Sequence, residues 1–184
     1  MSDRDQNELM LVCTARRGDK EALQTLLKRN WGWLKGLVYS VRGDRQELDD
    51  VMQDICLRVI TRIHTLREPE RFRAWLAILA RHEAIKHARR RKPEMVAVDE
   101  PGFVGDPADD IAKKELYGRV LEAVQGLPQK YREVFMLAHS GDLTYAQMAE
   151  VLDVPITTMQ IRLVRARQMI RNQIAGKEQK VYEI

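Results

Sequence analysis

Residues 143–174, LTYAQMAEVLDVPITTMQIRLVRARQMIRNQI, read as two short helices joined by a three-residue turn, and the rest of the chain is organised around them. Thr144 suits a helix N-cap, and Gln147 stands three positions on as the reciprocal partner of a capping box. Leu143 and Met148 occupy the two staple positions around it. The same grammar returns at Thr157 and Gln160, with Ile156 and Ile161 at the positions of a second staple and Pro155 interrupting the chain before them. Two helices on so tight a turn predict a helix-turn-helix.

Met159, Leu163, Ala166 and Ile170 recur at intervals of four, three and four, which predicts the core-facing stripe of the second helix. At about 100° per residue the opposite side carries Thr158, Ile161, Arg162 and Arg165, flanked by Gln160 and Val164. Such a face suits the major groove of DNA. Arginine bonds guanine bidentately, glutamine pairs with adenine, and an aliphatic side chain touches a thymine methyl. The same residues also describe a solvated basic face on an ordinary bundle helix, and the remaining sequence has to separate the two.

With 184 residues the chain can form one domain or two small ones. It is rich in Leu, Ala, Arg, Glu, Gln and Met and shows no alternating β-branched run long enough for a strand, so the expected fold class is all-α. Net charge is +4 with a pI near 9.1, compatible with nucleic acid or an acidic surface. Its distribution is more telling. Lys and Arg number 20 against 13 acids in residues 1–92, 2 against 7 in 93–115, and 9 against 7 in 116–184. Two basic ends flank an acidic middle. Cys13 and Cys56 belong to no CxxC or Cys/His cluster, so no metal ligand set is expected. The opening MSDRDQNE has no apolar signal core and no stretch approaches a membrane span, so the expected location is the reduced cytoplasm, with no membrane insertion.

From the first residue onward, a short helix is expected over residues 7–17, with Leu9, Val12 and Cys13 inward and Gly18 ending it. A longer one starts at Asp19 and keeps Leu23, Leu26, Leu27, Asn30, Leu34, Leu37, Val38 and Val41 at helical spacing down to Gly43. Trp31 and Trp33 read as packing residues beside that seam. A third helix over residues 45–66 places Leu48, Val51, Met52, Ile55, Val59, Ile60 and Ile63 on its core side. Its other side gathers Asp50, Gln53, Asp54, Leu57 and Arg58, which fits either a plain solvated face or a docking patch built around an exposed leucine. After the connector LREPE, residues 71–92 begin with apolar Phe72, Trp75, Leu76 and Leu79. They continue as a basic rod, with six Lys or Arg from Arg81 to Lys92 against the one acid Glu83. Phosphate contacts are the natural use of such a rod, and a solubilising helix end is the plainer one. His82 and His87 have no carboxylate or cysteine partner at metal spacing in the sequence, and no catalytic role is expected of them.

Residues 93–110, with three prolines, two glycines and a dense set of acids, read as an extended linker. Such a linker either repels nonspecific nucleic acid or lies in a basic channel of a partner. A helix from Ile111 through Leu127 then leads to Pro128, and a further helix lined by Tyr131, Val134, Phe135 and Ala138 ends at Gly141. The second domain is thus expected over residues 111–176, closing with the helix-turn-helix, and residues beyond 174 form a polar tail that frays.

Over nearly its whole length this order of motifs resembles the extracytoplasmic-function sigma factors of bacterial RNA polymerase. LDDVMQDICLRVI, residues 48–60, is similar to the family's acidic segment, and FRAWLAILARHEAIKHARRRK, residues 72–92, to its promoter-melting segment. LPQKYREVFML, residues 127–137, and residues 144–167 are similar to the domain that grips the upstream promoter element. The resemblance implies that Asp50, Gln53, Asp54 and Leu57 bind the clamp helices of the largest polymerase subunit, with a further contact at the flap region. It implies that Arg73, Arg81, His82, Lys86, Arg89, Arg90 and the loop over residues 66–73 hold single-stranded DNA, and that Thr158, Gln160, Ile161, Arg162, Val164 and Arg165 read duplex. An anti-sigma protein is a further partner the family implies; no cofactor is. The chain departs from the family where an Arg-Asn and a later Asp are usual, having Arg81-His82 and Lys86. It departs again where a Gly-Thr-Val, basic, Ser pattern is common, having Thr157-Thr158-Met159-Gln160-Ile161. These departures bear on which bases are read, not on the fold.

No nucleophile, acid pair or metal cluster appears in the sequence, so an enzyme such as a recombinase is not expected. A stand-alone dimeric helix-turn-helix regulator is the competing reading. It requires a dimer seam and leaves the Asp50 patch and the basic rod without a purpose.

Overall fold

The computed structural model describes residues 3–43, 47–90, 120–139 and 142–181, and among them every regular element is helical. The chain divides into two compact units, one of residues 1–42 and 46–95 and one of residues 43–45 and 96–184. The expected linker, Arg91, Lys92, the Gly141 stop and the first turns of the helix from Ile111 lie outside the described residues.

The first unit packs four helices: α1 (Asp3–Arg16), α2 (Lys20–Arg42), α3 (Leu48–Arg62) and α4 (Phe72–Arg90). Helix α1 begins four residues before its expected start, and Gly18 and Gly43 follow α1 and α2 at φ +98° and +79°, where a side chain would strain the backbone. The Asp19 carboxylate accepts the Ala22 N–H at 2.9 Å and caps α2, as its position predicts. Leu26, Leu34, Leu37, Val38 and Val41 of α2 are buried, and Val51, Met52, Ile55 and Val59 of α3 and Phe72, Leu76 and Ala80 of α4 are buried with them. Asn30 is the polar member of this seam. Its amide donates to Leu26 O at 2.8 Å and to Glu8 Oε1 of α1 at 3.3 Å, and its oxygen accepts from Trp33 Nε1 at 2.7 Å, so its burial leaves nothing unsatisfied.

Helix α3 stops earlier than its apolar periodicity suggests. Residues Ile63–Thr65 tighten into a 3₁₀ turn, with the Thr65 hydroxyl donating to Arg62 O at 2.7 Å, and Leu66 leaves extended. A second 3₁₀ turn, Pro69–Arg71, starts on its proline and delivers the chain to α4.

In the second unit a helix whose described part covers residues 120–125 is followed by α5 (Gln129–His139), α6 (Tyr145–Leu152) and α7 (Ile156–Val181). Pro128 sits just ahead of α5 and its carbonyl accepts the Arg132 N–H at 3.1 Å. The α5 seam differs from the expected one: Val134, Leu137 and Glu133 are buried, while Tyr131, Phe135 and Ala138 are half-buried. The Glu133 carboxylate tolerates that position because Gln129 Nε2 donates to it at 2.6 Å. The α7 stripe is the predicted one, with Met159, Leu163, Ala166 and Ile170 all buried. Backbone beyond Ile174, expected to fray, continues as helix to Val181.

Candidate functional site

The two helices of residues 143–174 begin by different means. At α6 the capping box forms in full: Gln147 N–H donates to Thr144 Oγ1 at 3.2 Å, and Thr144 N–H donates to Gln147 Oε1 at 2.9 Å. Helix α6 then ends on Asp153 in the left-handed region (φ 55°, ψ 52°). The N–H of Asp153 donates to Glu150 O and that of Val154 to Ala149 O, both at 3.1 Å. This is a Schellman motif with aspartate where glycine is usual. It turns the chain so sharply that α7 already starts at Ile156, with Pro155 O accepting the Met159 N–H at 3.0 Å. The expected second capping box is therefore absent. Thr157 lies inside the first turn, and Ile156 and Ile161 are solvent-facing instead of stapled together.

Exposure recentres the outward face of α7. Gln160, Ile161, Val164 and Arg165 are exposed and Thr157 joins them, whereas Thr158 and Arg162 are half-buried on one flank. Arg165 lies beside Tyr131 of α5 and holds that phenol below its usual range, against a smaller opposing effect of burial. That contact shows on which side α5 passes. Four of the six residues assigned to duplex reading thus share one open face, and the other two border the packed side.

On the first unit, Asp50, Gln53 and Leu57 of α3 are exposed, and Asp54 is half-exposed. Ile60, expected in the core, is 52% exposed and lies one turn from Leu57, itself 54% exposed. Ile55, Val59 and Ile63 take the seam, and a residue directly after Val59 points well away from it. The result is an aliphatic pair ringed by polar groups.

Between α3 and α4 lies a charge network the sequence reading missed. Glu83 is only 3% exposed; Arg58 Nε pairs with one of its oxygens and Lys86 Nζ with the other at 3.2 Å. Next to it His87 Nε2 meets Asp54 Oδ2 at 2.8 Å. The hydrogen bond from His87 is the main reason the Asp54 carboxyl is held below the usual carboxylate range, with partial burial opposing it and Lys86 and Arg90 adding attraction. His87, which has no carboxylate partner at metal spacing along the sequence, therefore finds one across the fold. The partner comes from another helix, 33 residues away. One potential ligand atom each from Asp54, Glu83 and His87 lie within 4.8 Å of one another, as a metal site requires, but Arg58 and Lys86 already neutralise Glu83 and an ion here would have to displace them.

The basic rod is accordingly less uniform than its composition. His82, Arg89 and Arg90 are exposed, while Arg81, Lys86 and His87 are half-buried and engaged. Arg73 is tied to α1, its Nε 2.7 Å from Glu8 Oε2 with both side chains largely covered. The residues missed from sequence are Glu83, Ile60, Ile156 and Thr157. Only Glu83 carried a signal, as the single acid in a run of cations.

Family models match both units in this order: "Sigma-70 region 2" over residues 26–94 and "Sigma-70, region 4" over residues 117–170. The chain is 25% identical over 172 residues to the ECF RNA polymerase sigma factor SigW of Bacillus subtilis, covering 86% of this chain and 92% of that protein. It is 29% identical over 178 residues to the RNA polymerase sigma-H factor of Pseudomonas aeruginosa, covering 90% and 92%. Its fold is that of the sigma factor RpoE in complex with the anti-sigma factor NepR from Bartonella quintana, at a TM-score of 0.65 and 19% identity over 83% of this chain and 96% of that one. Two family regions in the right order, each on its own helical unit, and relatives matched nearly end to end lead to one assignment: the chain belongs to the extracytoplasmic-function sigma factors of bacterial RNA polymerase.

Proposed function

We propose that this chain works as its family does: it joins core RNA polymerase, directs it to promoters and helps open them, without catalysing a reaction itself. The observation that carries the reading is the pairing of two dissimilar surfaces on one chain. One unit holds an acidic and aliphatic face on α3 beside a cationic end of α4, and the other holds a helix-turn-helix with an open polar and aliphatic face.

Residues 1–92 form the polymerase-binding and melting domain in this reading, 93–110 the linker, 111–176 the upstream-element domain and 177–184 a tail. Asp50, Gln53 and Leu57, extended by Ile60, dock on the clamp helices, and Asp54 contributes the oxygen that His87 leaves free. The upstream domain sits near the flap region. His82, Arg89 and Arg90 contact the opened strand directly, and Arg73, Arg81 and Lys86 contribute from their internal pairings. Thr158, Gln160, Ile161, Arg162, Val164 and Arg165 meet duplex DNA. An anti-sigma protein, such as the one bound to the Bartonella quintana sigma factor, competes for the polymerase-facing surface. Among the described residues no helix is long and apolar enough to cross a membrane, in keeping with action in the cytoplasm.

The test is co-elution of the purified chain with bacterial core RNA polymerase and transcription from genomic fragments that core alone ignores. The double substitution Asp50→Arg with Leu57→Glu should cost at least about 2 kcal/mol, the scale of an interface hot spot, or roughly 30-fold in core affinity. Unchanged affinity would remove α3 as the docking face. A chain that ignores core but shifts duplex DNA as a dimer would establish the stand-alone regulator instead.

A further inference from the structure

The early start of α7 changes what its outer face is made of. Ile156, Ile161 and Val164 are 46%, 53% and 65% exposed; Ile161 and Val164 share the side away from the buried stripe with Thr157 and Gln160, and Ile156 is exposed as the first residue of the helix, in line with Met159 and Leu163. Single exposed aliphatic residues are ordinary. Ile161 and Val164 side by side, with Ile156 at the helix start, exposed Arg165 next to Ile161 and the exposed Arg167 and Arg171 further along the helix, make a short apolar strip with cations nearby. An apolar groove on a protein would suit the strip and leave the border without partners. The major groove suits both, because phosphates line its edges and the C5-methyl of thymine is its one apolar feature. In a docked helix-turn-helix the N-terminal residues of the second helix face the base edges, and the strip occupies those positions.

We propose that Ile156, Ile161 and Val164 read thymine methyl groups in the upstream promoter element, with Gln160 between them placed to bond adenine. The inference rests on the assignment of the second unit to upstream DNA and adds the chemistry of selection: thymine is preferred over cytosine at the faced positions through desolvation of its methyl group.

The experiment uses the full-length chain bound to core RNA polymerase. Promoter duplexes randomised across the upstream element are selected for binding, and the best binder is resynthesised with deoxyuridine in place of thymidine, which removes the methyl alone. The expected result is a selected element containing thymines whose replacement weakens binding about fourfold per contacted methyl, the factor corresponding to ~0.8 kcal/mol for one buried carbon group. In the double variant Ile161→Ala and Val164→Ala the thymine-to-uracil ratio should fall to near one; both sites are exposed and alanine favours helix, so circular dichroism should show the fold intact. If selection converges but uracil duplexes bind equally well, the strip does not read methyls, and the upstream-DNA assignment stands. If no upstream sequence is ever selected, both are overturned. A double variant that loses core polymerase while keeping its thymine preference would make the strip a protein contact and overturn the proposal.

Discussion

Helix α7 carries Arg165, Arg167 and Arg171 on its solvent side, while α4 carries Arg81, Lys86, His87, Arg89 and Arg90 over a similar length. In composition the two are alike. In the fold they differ, because α4 lies against a helix that brings Asp54 to His87 and Arg58 to Glu83, whereas the open face of α7 meets no carboxylate among the described residues and touches α5 through Arg165 and Tyr131. The lesson concerns what a run of cations means. A lysine or arginine is available to a phosphate only after the partners within its own fold have been counted, and in α4 three of five, Arg73, Arg81 and Lys86, are already engaged. The helix proposed to read duplex presents its surface largely ready-made, and the helix proposed to hold the opened strand presents one partly committed to holding α3 in place.

The sharpest way to break this contrast is to remove the acid that creates it. Glu83→Ala should destabilise the first unit by about 2–3 kcal/mol, somewhat below the ~3–5 kcal/mol of a fully buried pair because Arg58 and Lys86 can turn to water. Denaturant unfolding measures this directly. A loss below about 0.5 kcal/mol, the range of an ordinary surface substitution, would mean that the network holds nothing.

The second comparison sets Arg165→Ala against Lys86→Ala on the same promoter. Loss of a guanidinium that contacts a base should cost about 1–3 kcal/mol of duplex binding, roughly 5- to 150-fold, and should spare opening of a premelted template. Lys86→Ala should show the reverse pattern with a smaller effect, since part of its charge is already spoken for by Glu83. Equal losses on both templates from Arg165→Ala would contradict the division of labour between the units.

What the sequence made legible follows from distance along the chain. The Thr144 capping box and the buried stripe of Met159, Leu163, Ala166 and Ile170 are set within a few residues by helical geometry, and both stand in the fold. Thr157 resembles an N-cap locally but lies inside the helix, because the left-handed turn at Asp153 that ends α6 lets α7 start already at Ile156. Ile60 was misplaced because an apolar residue next to a seam fits the periodicity without joining it. The pairs Arg58–Glu83 and Asp54–His87 bridge helices through tertiary packing, and no local pattern encodes which cation meets which acid. Among the proposed site residues the duplex-reading face was the most legible, since one helix supplies all of it; the strand-holding face depends on how two helices meet.

The smallest expected effect is the most specific probe of that meeting. His87, Lys86 and Arg90 keep the Asp54 carboxyl below its ordinary range, so its folded value lies under the unfolded value of about 3.9. A group depressed in this way adds stability that is complete above the unfolded pKa and is lost as pH falls through the folded one. Asp54 is substantially open to solvent, and a pair of this kind contributes about 0.2–1 kcal/mol. Wild type should therefore exceed Asp54→Asn by that margin at pH 5 to 7, and the two unfolding curves should converge as pH drops below about 3.9 toward the depressed folded value. A carboxyl NMR titration of Asp54 checks the cause independently. A midpoint at or above the ordinary value, or a stability gap that persists unchanged at the acid limit, would show that the His87 contact does not join α3 to α4 through charge. The His87 side chain would then be no more committed than the exposed cations of α4, and the contrast between the two helices would rest on the network around Glu83.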